Sequence, residues 1–309
     1  EKPVYMIPPP EIAEPGKLMQ LLKAVYGLCD APIRWYQALQ QILHKNRVTK
    51  TMVLCLYVRQ DGAARLKMSS HIDDLQPTST PQHLDQVRCD LEKDLGELKR
   101  ERYKYTHVGM EVDQNQKDMS ITVTQFHFTD ELEIIKIAPA RMKQKTENTT
   151  ADEMHSLRGP LVSFAWLTQN TRPDLATDVS ELQTRANKAT VADMIEVNAL
   201  IEEAKATKAK CYIHFRKLQV PLVLQVITDS GFKNKEDPGK PRQGMGIRIA
   251  SDSKVPGGLG NPILAKTFRT KRAVRSTLGA ETLAQVAGFD AGSKIRIEWT
   301  CMNLRSRLE

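Results

Sequence analysis

Close to residue 217 the hydrophobic pattern changes period, and any fold for this chain has to accommodate that switch. Upstream, "GPLVSFAWLTQNTRPDLATDVSEL" and "VADMIEVNALIEEAKATKAK" repeat apolar residues at helical spacing. Downstream, "VPLVLQVITDSGF", "QGMGIRIAS" and "ILAKTFRT" read as three strands separated by Gly-rich loops. "STLGAETLAQVAGFDAGSKIRIEW" follows as a helix. Three strands and then a helix make a separate α/β module over about 217–309. The chain of 309 residues is long enough for two or three domains, and its 40% hydrophobic content is enough to fill real cores.

The first half alternates helices and hairpins. "GKLMQLLKAVYGLCDAPIRWYQALQQILHKN" reads as a helical pair broken at "YGLCDAP", punctuated by Gly27 and Pro32, with Trp35, Leu39, Ile42 and Leu43 on the second helix's core face. "TMVLCLYVRQDGAARLKMSSHIDDL" reads as two strands around Asp61-Gly62, with Asp73 and Asp74 ending the second. "PQHLDQVRCDLEKDLGEL" is a helix with a Leu84, Val87, Leu91, Leu95 stripe, closed by Gly96. "YKYTHVGMEV" and "SITVTQF" look like the strands of another hairpin, and "TQFHFTDELEIIKI" opens a further helix. Residues 141–153, "RMKQKTENTTADE", have almost no apolar content and read as a linker. Beyond them, two amphipathic helices flank "TRPD", where Pro173 suits a first helical turn.

Charge narrows the partners. The 45 Lys and Arg outnumber 37 Asp and Glu, a net +8 that favours a polyanion such as nucleic acid or an anionic membrane. A soluble protein without such a partner remains open at this charge. The five cysteines stand far apart, which excludes a zinc knuckle or a disulfide framework and fits a reducing, intracellular setting. No apolar run approaches a spanning helix and no signal peptide opens the chain, so no membrane role is expected. The start at "EKPVYMIPPPE", without Met, suggests a processed product, an excerpt or a truncated frame.

The pair Asp73-Asp74 in "SSHIDDLQPTS" raises the chemical question. Adjacent carboxylates repel and resist desolvation unless a cation sits between them. Taken alone, such a pair is at home in a solvated turn. Its neighbours change the reading. "LLKAVYGLCDAPIRWYQAL" resembles the "K-x-L-Y-G-L-x-x-A-P-x-x-W" run of Ty1/copia-type retrotransposon reverse transcriptases, and "HIDDL" their "V-D-D" motif. "DLGELKRERYKYTHVGMEV" is similar to the family's "D-L-G-E-L-x-x-F-L-G-I-x-I", and "LRGPLVSFAWLTQNTRPDLATDVSEL" to its "T-R-P-D-I" region. "ITDSGF" and "VRSTLGAETLA" look like two parts of the attached RNase H domain. These resemblances occur in the family's order from about residue 3 to 300.

The resemblance implies an α+β chain from a Pol polyprotein, truncated at both ends. Polymerase fingers and palm would occupy 1–115, a helical thumb or connection region 116–216, and an RNase H-like α/β domain 217–309. It implies copying of RNA into DNA and degradation of the RNA strand by two-metal phosphoryl transfer, with Mg²⁺ (or Mn²⁺) ions about 3.5–4 Å apart. Asp73 would be the main metal ligand and Asp74 the secondary one, with Asp229 and Glu281 in the second centre. Partners would be an RNA template, a DNA primer, an RNA–DNA hybrid and the rest of Pol, in a cytoplasmic particle or the nucleus. The basic run Lys266, Arg269, Lys271, Arg272 and Arg275 would contact hybrid phosphates.

Three departures bear on activity. The family's upstream "D-V-x-x-A-F-L" aspartate would fall before residue 1. Cys29-Asp30 stand where the family has a polar "K-Q" pair, which makes Asp30 a nucleotide-pocket candidate of the wrong charge. Ser69, Ser70 and Gln76 replace apolar residues, as in a decayed copy. In the second centre Asp290 lies nine residues beyond Glu281, on the helix's opposite face, and Glu298 about 25 Å along it, so neither completes the cluster. Little or no activity of either kind is therefore expected from this chain. A non-catalytic nucleic-acid-binding remnant and a pseudogene product remain the alternatives. Trp35 and Trp166 are expected in the core.

Overall fold

The computed structural model describes residues 4–21, 27–232, 240–251 and 260–303. The architecture is mixed α+β, as the sequence predicts. The chain divides into two compact units, Glu1–Arg100 with Ile297–Glu309, and Glu101–Arg296.

In the first unit, β1 (Tyr5–Met6) pairs with β2 (Met19–Gln20). Met19 and Gln20 belong to the first of the two expected helices. Pairing with Tyr5 and Met6 makes them strand instead, and residues 22–26 of that expected helix lie outside the described residues. The second helix forms as α1 (Ala31–Lys45), with Pro32 in its first turn and Leu39 and Leu43 buried one turn apart. Then come β3 (Thr49–Lys50), β4 (Leu56–Asp61) and β5 (Ala64–His71), the last two closing where Asp61 pairs with Ala64 and Gly62 adopts φ +57°. An unexpected strand, β6 (Asp74–Thr78), completes an antiparallel sheet in chain order. Asp74 and Pro77 are poor strand formers, so pairing with β5 makes it a strand, helped by Leu75 packing against the core. Helix α2 (Pro81–Leu95) stops at Gly96, whose φ of +81° an L-residue rarely adopts.

Alternation along β4 and β5 puts Tyr57, Arg59, Leu66 and Met68 on one face. Leu39 and Leu43 of α1 and Val87 and Leu91 of α2 pack with them. Each buried aliphatic contributes about 1.5–3 kcal/mol. Arg59 occupies an otherwise apolar position, its side chain 2% exposed. It bonds Asp61 at 2.6 Å, Asp90 at 2.9 Å and the Asn46 carbonyl at 3.2 Å. Burial pushes the Asp61 and Asp90 carboxyls up, but Arg59, together with His83 and Arg47 at Asp61 and with Lys93 and Gln86 at Asp90, holds both below their ordinary range.

The second unit opens with β7 (Lys104–His107), β8 (Met110–Gln114) and β9 (Ile121–Thr124), to which the later β10 (Ile213–Phe215) adds beside β9. "YKYTHVGMEV", read as one strand, folds back on itself at Val108-Gly109, with φ +51° and +73°. Positive φ at both central residues is the twist a two-residue hairpin loop needs. Helix α3 (Phe126–Asp130) ends after five residues. The expected helix does not continue because Leu132, Ile135 and Ile137 are drawn into the core, and Asn198 takes both the N–H and the carbonyl of Ile135 at 2.8 and 2.9 Å. After α4 (Pro139–Met142), the segment 141–153 is no free linker. Arg141 binds Glu153 at 2.9 Å, Asn148 bridges to Thr190, and Thr150 with Glu153 forms a reciprocal helix cap.

Three helices follow, α5 (Ala151–Asn170), α6 (Ala176–Arg185) and α7 (Val191–Thr207). Leu157, Phe164, Val179, Leu182, Val197 and Ile201 form the centre of their core. "TRPD" makes the turn between α5 and α6, with Pro173 opening a 3₁₀ turn. The α/β module comes last: β11 (Val223–Gly231), β12 (Arg242–Ala250) and β13 (Gly260–Arg269), antiparallel in chain order, and then α8 (Thr277–Asn303). Ala280, Ala284, Gly288 and Gly292, spaced four apart, are the buried residues of α8. A Cβ on Gly288 would lie 2.4 Å from Thr228 Cγ2, and one on Gly292 2.8 Å from Val226 Cγ2. The helix therefore lies almost on the strand, and only glycine permits that approach.

Candidate active site

Asp73 and Asp74 occupy the tip of the β5–β6 hairpin, not the end of a lone strand. His71 pairs with Asp74, leaving Ile72 and Asp73 as the two-residue loop. Ile72 is forced to φ +53°, uncommon for a β-branched residue. What holds it is Trp35, whose indole Nε1–H donates to the Ile72 carbonyl at 2.9 Å. Both carboxylates are exposed, with no desolvation cost to resist. Trp35, expected in the core, is 37% exposed and works as a clamp from α1 onto the hairpin tip. The "A-P-x-x-W" spacing placed it on α1 but gave no sign of the carbonyl it reaches.

The polar residues of this hairpin are paired. Ser69 lies opposite Gln76 with their side chains 3.5 Å apart, and Ser70 is 3.4 Å from the Tyr57 hydroxyl, which also takes a bond from Gln40. They are a cross-strand network rather than holes in an apolar face. Asp30 sits immediately before α1 and binds Arg34 Nε at 2.5 Å. Its charge is thus partly neutralised, which lessens the repulsion an acid would offer a phosphate.

In the second unit, Asp229 is exposed on β11, opposite Gly244. Glu281 is half-buried one turn into α8. The Gln243 amide reaches the Ala280 carbonyl at 3.4 Å, and Gln243 lies opposite Ser230, so the start of α8 is level with the end of β11. Leu224, Val226 and Thr228 face the helix at Gly288 and Gly292. Alternation then turns Asp229 to the other face of the sheet. The two acids share one end of the module but not one face. Among the described residues, no three His, Cys, Asp or Glu side chains converge as a metal-ion site.

In the basic run, Lys271, Arg272 and Arg275 are exposed, and Lys266 stands 5.3 Å over the Phe268 ring. Arg269 is half-buried. Sequence reasoning missed Arg172. Its side chain, 2% exposed, forks onto Asp174 and donates to the Ala204 carbonyl at 2.9 Å and Thr207 Oγ1 at 2.8 Å. Burial pushes its pKa down, but the Asp174 carboxylate more than reverses this. The arginine of "TRPD" is a rivet between helices.

Residues 1–144 match the reverse transcriptase (RNA-dependent DNA polymerase) family, a stretch that contains α1, the β5–β6 hairpin and both aspartates. That match supports an RNA-directed DNA polymerase at family level for this stretch. No curated protein matches the chain. Among the described residues, no helix is long and apolar enough to cross a membrane.

Proposed function

We propose that the chain is the reverse transcriptase and RNase H portion of a Ty1/copia-type Pol polyprotein, acting on an RNA template, a DNA primer and their hybrid. The observation that carries this is the aspartate pair at a clamped hairpin tip inside the stretch matching the reverse transcriptase family. Hard carboxylate oxygens suit Mg²⁺, and Asp73 and Asp74 would hold it there, Asp73 as the main ligand. When bound, Mg²⁺ would lower the pKa of an attacking hydroxyl and stabilise a leaving phosphate. Trp35 keeps the turn fixed so that the acids project from the tip, and the Asp30–Arg34 pair keeps the start of α1 near neutral.

The RNase H assignment draws support from the order of three antiparallel strands and a long helix, with Asp229 and Glu281 at the same end. Lys271, Arg272 and Arg275 would meet phosphates of the hybrid.

Little or no catalysis is expected from this chain by itself. The second reading is a non-catalytic nucleic-acid-binding remnant, in which the exposed Lys271, Arg272 and Arg275 would bind without either aspartate pair. Primer extension on a primed RNA template with Mg²⁺, together with binding of the same substrate, tests both. Binding with at most trace extension is the expected result. Synthesis lost in Asp73→Asn would refute the inactivity and leave the polymerase assignment standing. No binding of primed template by the folded chain would overturn the nucleic-acid reading itself.

A further inference from the structure

A cleft of about 330 Å³ in the second unit lies between β13 and the helices α5 and α6. Strand alternation decides which β13 side chains enter it. Gln243 reaches α8 and lies opposite Phe268, so Phe268 and Lys266 turn to the α8 face and give the cleft only backbone. Ala265, Thr267 and Arg269 turn the other way, towards α5 and α6. Across from them, Thr168 and Gln169 of α5 and Gln183 and Thr184 of α6 supply hydroxyls and amides. Among the described residues that line the cleft there is no acid.

Arg269 lies directly opposite Arg242 in the β12–β13 register, so two guanidinium side chains leave the sheet side by side on this face. Like charges placed so repel. Arg242 does not line the cleft itself but joins it through Ser180, a lining residue whose Oγ accepts from Arg242 Nη1 at 2.6 Å. That leaves the Ser180 hydroxyl hydrogen to donate elsewhere. Glu181 lies 3.6 Å from Arg242 Nε, too far for a hydrogen bond, and is 39% exposed. Arg242 is 11% exposed, and its Nη2 is buried and meets no acceptor among the described residues. A buried guanidinium N–H lacking an acceptor, a hydroxyl with a hydrogen to give and a second guanidinium together suit an oxyanion. The sheet leaves room for one. Gly244 and Gly246 follow Arg242 on the same face, opposite Thr267 and Ala265, and a Cβ on either would meet nothing within 4 Å. Asp229, opposite Gly244 on β11, bounds this bare floor and would repel an anion there, which places the anion on the β13 side.

We propose that the Arg242–Arg269 pair is an oxyanion seat that takes the phosphate of a small phosphorylated sugar or polyol, whose hydroxyls lie along the cleft against Thr168, Gln169, Gln183 and Thr184. With no aromatic side chain turned into it, the cleft suits a hydroxylated body rather than a base. The site uses neither aspartate pair nor the exposed cations 271–275, and it does not rest on the polymerase reading. Isothermal titration calorimetry of the full chain with ribose 5-phosphate, inorganic phosphate and ribose tests it. Ribose 5-phosphate should bind with a Kd of about 1 mM or below, inorganic phosphate about 10-fold more weakly and ribose not measurably. Gly244→Val fills the bare floor while leaving every cation in place. It should fold as the parent does by circular dichroism and bind ribose 5-phosphate at least about 10-fold more weakly. Arg242→Lys keeps the charge but loses the fork, with a loss of about the same size. Gln183→Ala should weaken ribose 5-phosphate and leave inorganic phosphate unchanged. Parent-like binding in Gly244→Val, or no binding by the folded parent, overturns the seat. Equal affinity for ribose 5-phosphate and inorganic phosphate overturns the role of the cleft's hydroxyls and amides. Lys271→Gln, Arg272→Gln and Arg275→Gln together should leave ribose 5-phosphate binding intact, and its loss there would move the anion to the exposed cations and overturn the proposal. Primed-template binding is expected to be unchanged in Gly244→Val, so this site and the nucleic-acid reading fail separately.

Discussion

Replacing Arg172 by methionine should cost the second unit about 3–4 kcal/mol. The substitution keeps an unbranched, apolar stem of similar reach, so packing along the stem is largely preserved. It removes a fork that ties four partners atoms together: both Asp174 oxygens, the Ala204 carbonyl and Thr207 Oγ1. Breaking a buried pair by deleting one partner costs about 3–5 kcal/mol. Asp174 is 47% exposed and can recover water, which points to the lower end. Ala204 is fully buried, so its carbonyl has no such recourse. Arg172→Lys restores the charge but not the planar fork and should fall between parent and Arg172→Met. Urea denaturation followed by circular dichroism, with hydrogen exchange of α5–α7 peptides to assign the transition, measures this. A midpoint lower by about 1 M or more is expected for Arg172→Met, given typical urea slopes. A shift within about 0.5 kcal/mol, or Arg172→Lys equal to the parent, would show that the fork does not hold these helices together.

Gly288→Ala should destabilise α8 against β11 despite alanine's better helix propensity, because its Cβ would be driven to 2.4 Å from Thr228 Cγ2. Overpacking of about 1–3 kcal/mol against a propensity gain of about 1 leaves a net loss of up to about 2 kcal/mol, read in the same urea assay. Acid should loosen the first unit. Asp61 and Asp90 titrate below their unfolded values, so the stability they give is fully present above the ordinary carboxylate pKa. It is lost as pH falls through their depressed folded values. Arg59→Met should flatten that part of the pH–stability curve, as measured by urea midpoints between pH 6 and pH 2.

Legibility in the sequence followed how local each cause was. The Asp61-Gly62 turn, the α2 stripe with Gly96 behind it, and the three strands with α8 were readable because a neighbour or a repeat period dictates each. Met19 and Gln20 were misread because their partners, Tyr5 and Met6, are over a dozen residues away. The stretch 131–137 has helix formers, but Asn198 and the helical core hold it extended, a tertiary preference that overrides a weak local one. In the candidate site, the aspartates were readable by type and neighbourhood. The turn that presents them was not, because it depends on an indole 37 residues upstream meeting a carbonyl. Arg172 was hidden for a related reason: a charged residue near a turn looks solvated until the helix ends it joins are known.

The glycine and alanine seam of α8 has a consequence for how the chain can drift. The helix is inside out by size: its smallest residues are buried, while Leu278 and Phe289 stand 76% and 73% exposed. In a pool of random variants the usual map of tolerance would be inverted along this helix. Polar replacements at Leu278 or Phe289 would survive in number, whereas the addition of a single methyl group at 288 or 292 would be purged. A lineage copied without care for its chemistry would still keep those two positions bare for as long as the helix lay on its strand.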